Sequence, residues 1–472
     1  MVDNQKPIID WTATTLSTKI KSKEVSCLEV MAAYLSHIET TNPEYNALVN
    51  LQNKDDLLSE AKEKDQELAQ GNYYGWMHGF PHAVKDLAPT KDITTTMGSP
   101  LLKNFVPNFD QLIVERIKAD GAIIIGKTNV PEFGLGCQTY NSVYGETANA
   151  YDKTKTSGGS SGGAAVGLAT HMLPVADGSD MAGSLRNPAS FNNVVGFRPT
   201  QGTIPYWPTE DVEAFSLVTE GPMGRNVKDT AMFMSTMVGH DPRVPNSPKV
   251  DPSSFSQSLR KDFKSLKIGW LGDLNGYLPM EKGVLDLCEK ALKRFEDGGF
   301  QIEVAKPSTS PQIGWESWLS LRSFQIGGIL KPFYDDPQKR QSLKQEVIWE
   351  IENFLPLTSE SIEKAHLKRK QWTQSINALF ETNDFLLLPG SQVFPFDKET
   401  PWVKNIGGTD METYHKWMEI YCLTTLTGCP ILNIPVGFND KNLPMGMQII
   451  GKHNSDLDVF KIGYALEQLR LS

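Results

Sequence analysis

Apolar positions between residues 10 and 70 recur at helical spacing. Leu28, Met31, Leu35 and Ile38 fall every three or four residues, which places them on one stripe of a helix facing a partner surface. Ser26, with Glu29 three positions on, has capping-box spacing and predicts where that helix starts. Residues 55–67 are dense in charge but mixed in sign, with Leu57, Leu58, Ala61 and Leu68 interleaved. That pattern is a solvated helix face, not an interaction tail. Residues 1–70 are therefore expected to form a helical segment packed on a larger body.

From about residue 75 to 240 the texture changes to glycine-rich turns between short β-branched runs. Ala122, Ile123, Ile124 and Ile125 predict a buried strand following a helical segment at 110–120. Residues 267–271, 284–296 and 301–305 then read as strand, helix and strand, the order of a crossover unit. Further strands are predicted at 385–389, 431–435 and 447–450. No repeat and no clear linker divides the chain after residue 75, so residues 71–472 are expected to form one α/β unit. Trp315, Trp318, Trp349, Trp372, Trp402 and Trp417 crowd one stretch; such residues fill a helical core more often than they line a pocket.

Composition narrows the function classes. With 39% hydrophobic and 22% charged residues in 472, the chain is folded, not disordered or fibrous. Its 46 basic and 56 acidic residues leave a net charge of −10, so no global positive field exists to hold a nucleic-acid backbone or an anionic membrane. No nucleic-acid or membrane partner is expected. The first residues lack a basic start followed by an apolar run, and no apolar stretch approaches the ~20 residues needed to cross a bilayer, so a cytoplasmic location is expected. Cys27, Cys137, Cys288, Cys422 and Cys429 are odd in number and never spaced as C-x-x-C, which suits reduced, packed thiols. Eight histidines without an H-E-x-x-H pair point to no catalytic metal, and no cofactor is expected.

Three segments carry candidate chemistry, and a fourth imitates it. Residues 121–128 fit the G-x-x-x-x-G-K-[ST] phosphate-loop pattern, yet the four residues between the glycines are apolar and β-forming where a flexible loop is required. Nucleotide binding at Lys127 is rejected on that ground. Residues 157–163, Ser-Gly-Gly-Ser-Ser-Gly-Gly, run directly into the small-residue helix 164–169, which argues against a linker and for hydroxyls held on a rigid corner. Residues 177–188 place Ser184 after a small-residue turn, where backbone N–H donors could converge on an oxyanion. Lys85 ends a strand-like run at 79–86; taken alone it is an ordinary solvated charge or an ion-pair partner.

Together, G-F-P-x-x-V-K-D around Lys85, the G-G-S-S-G-G run, and D-M-A-G-S-L-R-N-P leading to Gly196-Phe197-Arg198-Pro199-Thr200 resemble the amidase signature family. The ordered match continues through 126–129, 131–133, 428–430 and 444–448 and spares only about 240–420. The resemblance implies a large central mixed β-sheet covered by helices on both faces. It also implies a Ser–Ser–Lys triad in which Ser184 is the acylated nucleophile, Ser160 the bridging serine preceded by a cis peptide, and Lys85 the base. Ser161 is the easy misassignment; the family's spacing of twenty-four residues before the nucleophile selects Ser160. Backbone N–H groups of Met181, Ala182, Gly183 and Ser184 are the expected oxyanion hole, with Asp180 and Arg186 ordering the loop. Many relatives carry glycine at position 182, so Ala182 adds a methyl beside the acyl site.

A lysine free in water has a pKa of ~10.4, so Lys85 must be desolvated to serve as a base. The expected activity is hydrolysis of a small-molecule carboxylic amide to a carboxylate plus ammonia or an amine. Two alternatives stay open: the glutamine-hydrolysing subunit of a tRNA-dependent amidotransferase, and a hydrolase of cyclic oligoamides. Pocket shape is expected from 240–420 and from loops near Tyr140 and Trp207, and a homodimer is left open.

Overall fold

Ser26 caps the helix Cys27–Tyr45 as its spacing predicts: its hydroxyl accepts from Glu29 N, and Glu29 Oε2 accepts from Ser26 N at 2.8 Å. Cys27, Val30, Met31, Tyr34, Leu35 and Ile38 form the buried stripe, while Leu28 stands at its margin. In the computed structural model, which describes residues 6–209, 217–261, 263 and 266–471, two further helices, Ala13–Lys21 and Lys54–Ala69, complete the amino-terminal segment. Residues 1–5, part of the amino-terminal stretch that has no basic start followed by an apolar run, lie outside the described residues.

A small sheet joins β1 (Leu48–Val49), β2 (Pro81–Lys85) and β3 (Ile123–Thr128), with β3 in the centre, antiparallel to β1 and parallel to β2. The large sheet has eight strands: β4 (Val175–Asp180), β5 (Val195–Arg198), β6 (Thr219–Gly224), β7 (Lys267–Trp270), β8 (Gln301–Val304), β9 (Phe385–Pro389), β10 (Ile431–Phe438) and β11 (Pro444–Ile450). Their spatial order is β8-β7-β9-β11-β10-β5-β6-β4. The β7–β8 and β7–β9 pairs are parallel and the rest antiparallel, so the sheet is mixed as expected. The strand, helix and strand expected between 267 and 305 form as the parallel pair β7–β8 joined through the helix Val284–Asp297.

Strand periodicity divides the core. Leu387, Leu432, Ile434 and Ile449 pack into one apolar cluster together with the amino-terminal helices and the small sheet. Their immediate neighbours Leu386, Leu388, Ile431 and Ile450 point into a second cluster, because successive strand side chains face opposite sides. That second cluster holds Trp315, Trp318, Trp372 and Trp417, while Trp349 and Trp402 pack on its edge. Helices Pro311–Asp335, Gln345–Phe354 and Ser359–Leu379 build this side. Both faces of the sheet are thus covered.

Asp177 on the edge strand β4 fastens the small sheet to the large one. Its Oδ1 meets His82 Nε2 at 2.9 Å, and its Oδ2 accepts from Lys85 N at 3.1 Å. The end of β2, and with it Lys85, is thereby held against β4.

Candidate active site

Lys127 lies on β3, a strand where a phosphate loop would need free backbone. Its buried ammonium donates to Ala88 O at 2.6 Å and to Thr90 Oγ1 at 2.8 Å. The nucleotide pattern is therefore occupied by structural contacts.

Lys85 is only 1% exposed. Its Nζ lies 2.9 Å from Ser160 Oγ, 2.8 Å from Ser161 Oγ, 3.1 Å from Ser179 Oγ and 3.2 Å from Ser179 O. Among the described residues no carboxylate lies within ion-pair reach of it. Burial pulls its pKa down, and the nearby carboxyls of Glu220, Asp177 and Asp180 oppose that pull without reversing it. A cradle of hydroxyls suits an amine that changes charge, since each can either donate or accept.

The two adjacent serines are equally close to the amine but differently placed. Ser160 follows a cis peptide bond from Gly159 and lines a cavity of about 430 Å³. Ser161 is fully buried and its N–H donates to Ser184 O at 3.2 Å, tying the glycine-rich corner to the Ser184 turn. The helix Gly162–Ala169 begins at once, and Gly163 is obligatory there: a Cβ would come within 2.3 Å of Asn129 N and 2.4 Å of Ala47 O.

Ser184 lines the same cavity, with Met181 and Ser179 beside it. Its turn is set by Asp180, whose Oδ1 accepts from Gly183 N at 3.0 Å and Oδ2 from Leu185 N at 3.1 Å. Gly183 has φ +93°, and a side chain there would strike the Tyr421 ring at 2.4 Å. Burial alone would raise the Asp180 pKa, but Arg186 and Arg198 hold its carboxyl well below the usual carboxylate range. Of the four N–H groups expected at the oxyanion hole, that of Gly183 is spent on Asp180. Those of Met181, Ala182 and Ser184 donate to no acceptor among the described residues. Ala182 is buried in the tryptophan-rich cluster beside Met181, which also lines the cavity.

The wall is mostly apolar. Leu87, Met97, Leu102, Phe105 and Phe133 come from the segments after β2 and β3, and Ile326, Ile329, Leu330 and Phe333 from the helix Pro311–Asp335. Of the 240–420 region, residues 322–333 reach the cavity; from the loops near Tyr140 and Trp207, Leu135 and Tyr206 line it, while Tyr140 and Trp207 themselves do not. Tyr140 sits under Lys344 and Trp207 under Arg243, while Tyr206, next to Trp207, takes the wall position. Arg322 reaches the wall with its guanidinium engaged, Nε donating to Glu350 Oε1 at 2.6 Å and Nη2 to Tyr414 Oη at 3.0 Å.

Glu220, Ser179, Asp177, Tyr206 and Arg322 were not singled out from sequence. Asp177 and Ser179 lie within the 177–188 segment, but their roles there come only from contacts with β2; Tyr206, Glu220 and Arg322 stand in unremarkable contexts and reach the cavity only through contacts far along the chain.

The family model named Amidase matches residues 29–460. A glutamyl-tRNA(Gln) amidotransferase subunit from Sulfurihydrogenibium sp. is 33% identical over 482 residues, covering 96% of this chain and 96% of the relative. A bacterial aryl acylamidase structure superposes with a TM-score of 0.90 at 27% identity, covering 98% of this chain and 97% of the other. A 6-aminohexanoate cyclic dimer hydrolase, at 22% identity and a TM-score of 0.85 over 98% of this chain and 97% of the other, shares the fold. With a matching family model over most of its length and amide-hydrolysing enzymes as its structural neighbours, this chain belongs to the amidase signature family of enzymes.

Proposed function

We propose that the enzyme hydrolyses a carboxylic amide carrying an apolar aryl or alkyl group, through an acyl-enzyme on Ser184. The observation that carries this is the buried, carboxylate-free Lys85 amine 2.9 Å from Ser160 Oγ, with Ser160 and Ser184 on one cavity wall. Neutral Lys85 takes the Ser160 proton while Ser160 takes that of Ser184, whose oxygen attacks the carbonyl carbon. The N–H groups of Met181, Ala182 and Ser184, which meet no acceptor among the described residues, are the donors for the tetrahedral oxyanion, where loss of one donor typically costs ~3–4 kcal/mol in barrier. The proton returns along the same chain to the departing nitrogen, the C–N bond breaks, and water then releases the acid. Ser160, not Ser161, is the bridge because it faces the cavity.

Mostly apolar walls favour an apolar substrate over glutamine, and the Arg322 guanidinium, the group that would meet an α-carboxylate, is already bonded to Glu350 and Tyr414. The glutaminase-subunit reading stands second, favoured by the names of the sequence relatives. Five buried, unpaired cysteines suit a reducing compartment, and the proposed location is the cytoplasm.

A panel of anilides, aliphatic amides, cyclic oligoamides and glutamine, read by product release and by intact mass of the acylated protein, tests the proposal. Turnover of anilides or apolar amides with acyl mass on Ser184, lost in Ser184→Ala, is the expected result. Turnover of glutamine alone would move the assignment to the second reading, and acylation elsewhere would end both.

A further inference from the structure

Glu220 on β6 stands in register opposite Ser179 of β4, and the Ser179 hydroxyl is one of the groups around Lys85 Nζ. Gln111 Nε2 donates to Glu220 Oε1 at 3.0 Å, and the rest of the carboxyl opens on the cavity wall at 5% residue exposure. The other carboxyls nearby are committed. Asp180 is bonded to Arg186 and lies beside Arg198, and Asp177 binds His82 and the Lys85 backbone N–H. Among the described residues Glu220 has no cation in ion-pair contact.

The titratable and charged groups around the pair come from several elements. Lys85 is on β2, Asp177 and Asp180 on β4, Tyr206 in the loop before β6 and Cys137 in the loop after β3. Arg322 on the far wall is neutralised by Glu350. Within this set, Lys85 and Glu220 are the cation and the carboxyl without an ion-pair partner among the described residues.

We propose that Glu220 is the counter-charge of Lys85: it steadies the ammonium formed when Ser160 gives up its proton, and so sets the pH at which the amine is free to act. It is a positioning residue that works through Lys85, not on the substrate, and the inference rests on Lys85 being the base. Burial drives each partner toward its neutral form, lowering the lysine pKa and raising that of the carboxyl. In the forward step the Ser184 and Ser160 O–H bonds break as new O–H and N–H bonds form on Ser160 and Lys85, leaving an ammonium in the field of Glu220; Lys85 then returns a proton to Ser160, which passes its own to the departing nitrogen.

A carboxylate favours a neighbouring ammonium, so its removal lowers the lysine pKa further. Glu220→Gln keeps the shape and the Gln111 contact, and is expected to move the acid limb of the pH profile about one pH unit toward acid. Loss of the counter-charge should also lower its plateau severalfold. Glu220→Asp, which keeps the charge, should retain the wild-type limb. Gln111→Met removes the donor that favours ionised Glu220, and should shift the limb in the same direction by less; it serves if Glu220→Gln does not fold.

The readout is the rate of Ser184 phosphonylation by a fluorophosphonate from roughly pH 5 to 10, with the labelled serine mapped by peptide mass and folding checked by thermal melting. Shifted limbs for the Gln and Met variants with an unshifted Asp variant support the proposal. Overlaid limbs in folded variants that still label Ser184, or equal shifts for Asp and Gln, overturn it and leave the triad standing. Wild-type protein that never labels Ser184 overturns the triad and this proposal together.

Discussion

Asp180 and Arg186 are joined through both carboxylate oxygens, Nε to Oδ2 at 2.9 Å and Nη2 to Oδ1 at 2.8 Å, with both side chains fully buried. Arg186 continues to Gln448 Oε1 at 2.9 Å on β11 and to Thr425 Oγ1 at 2.8 Å, so one guanidinium ties the Ser184 turn to the middle of the large sheet. Asp180→Asn would leave Arg186 and Arg198 buried without their anion, and breaking such a pair costs ~3–5 kcal/mol. Urea unfolding should show a loss of that order together with loss of Ser184 labelling. A wild-type midpoint would show that the pair does not hold the turn.

Ser160 and Ser161 lie at nearly equal distances from Lys85 Nζ, so alanine substitution separates proximity from role. Ser160→Ala should reduce acylation by ~10²–10⁴, the range for removing a positioned proton-transfer group. Ser161→Ala should act mainly on stability, through the corner that it fixes. Equal losses in acylation rate, measured in stopped flow, would remove the distinction drawn from the cavity.

Phe133 stacks on Phe333 at 5.6 Å between ring centroids, joining the two halves of the apolar wall. Phe133→Ala or Ile326→Asp should raise KM for an apolar anilide by roughly tenfold or more, from ~1.5–3 kcal/mol of lost burial, with a smaller effect on a short aliphatic amide. Equal effects on both substrates would place the apolar group elsewhere.

Glu467 is a buried acid away from the site. It is 4% exposed, its Oε1 accepts from Val227 N at 3.0 Å, and burial pushes its pKa up to about 7. The unfolded value is ~4.3, so the folded state holds the proton more tightly. That contribution is fully present below the unfolded pKa and is lost as pH rises through about 7. Glu467→Gln should therefore gain stability relative to wild type between about pH 5 and 8, on the order of 2–3 kcal/mol, read from urea midpoints at the two pH values. A constant difference across that range would show that Glu467 does not titrate there.

Much of the architecture was legible because it follows from short-range periodicity. The capping box at Ser26, the apolar stripe after it and the strand at 123–128 depend on residues within one or two turns, and that strand also exposed the false phosphate loop. The short strand Leu48–Val49 was missed, since two apolar residues between helices carry no period and form a strand only against Thr128 and Lys127.

By itself the sequence determined the strand and helix periods, the small residues that the tight corners require, and the three short segments bearing Lys85, Ser160 and Ser184. Tertiary structure alone decided that Lys85 is dry, that Ser160 and not Ser161 faces the cavity, that Gly183 N–H is spent on Asp180, and that Glu220 stands across from Ser179. Periodicity and turn chemistry are local properties of the chain. Burial, charge pairing and the pKa shifts that they cause are sums over atoms from strands and helices hundreds of residues apart, and exist only once the chain has closed around them.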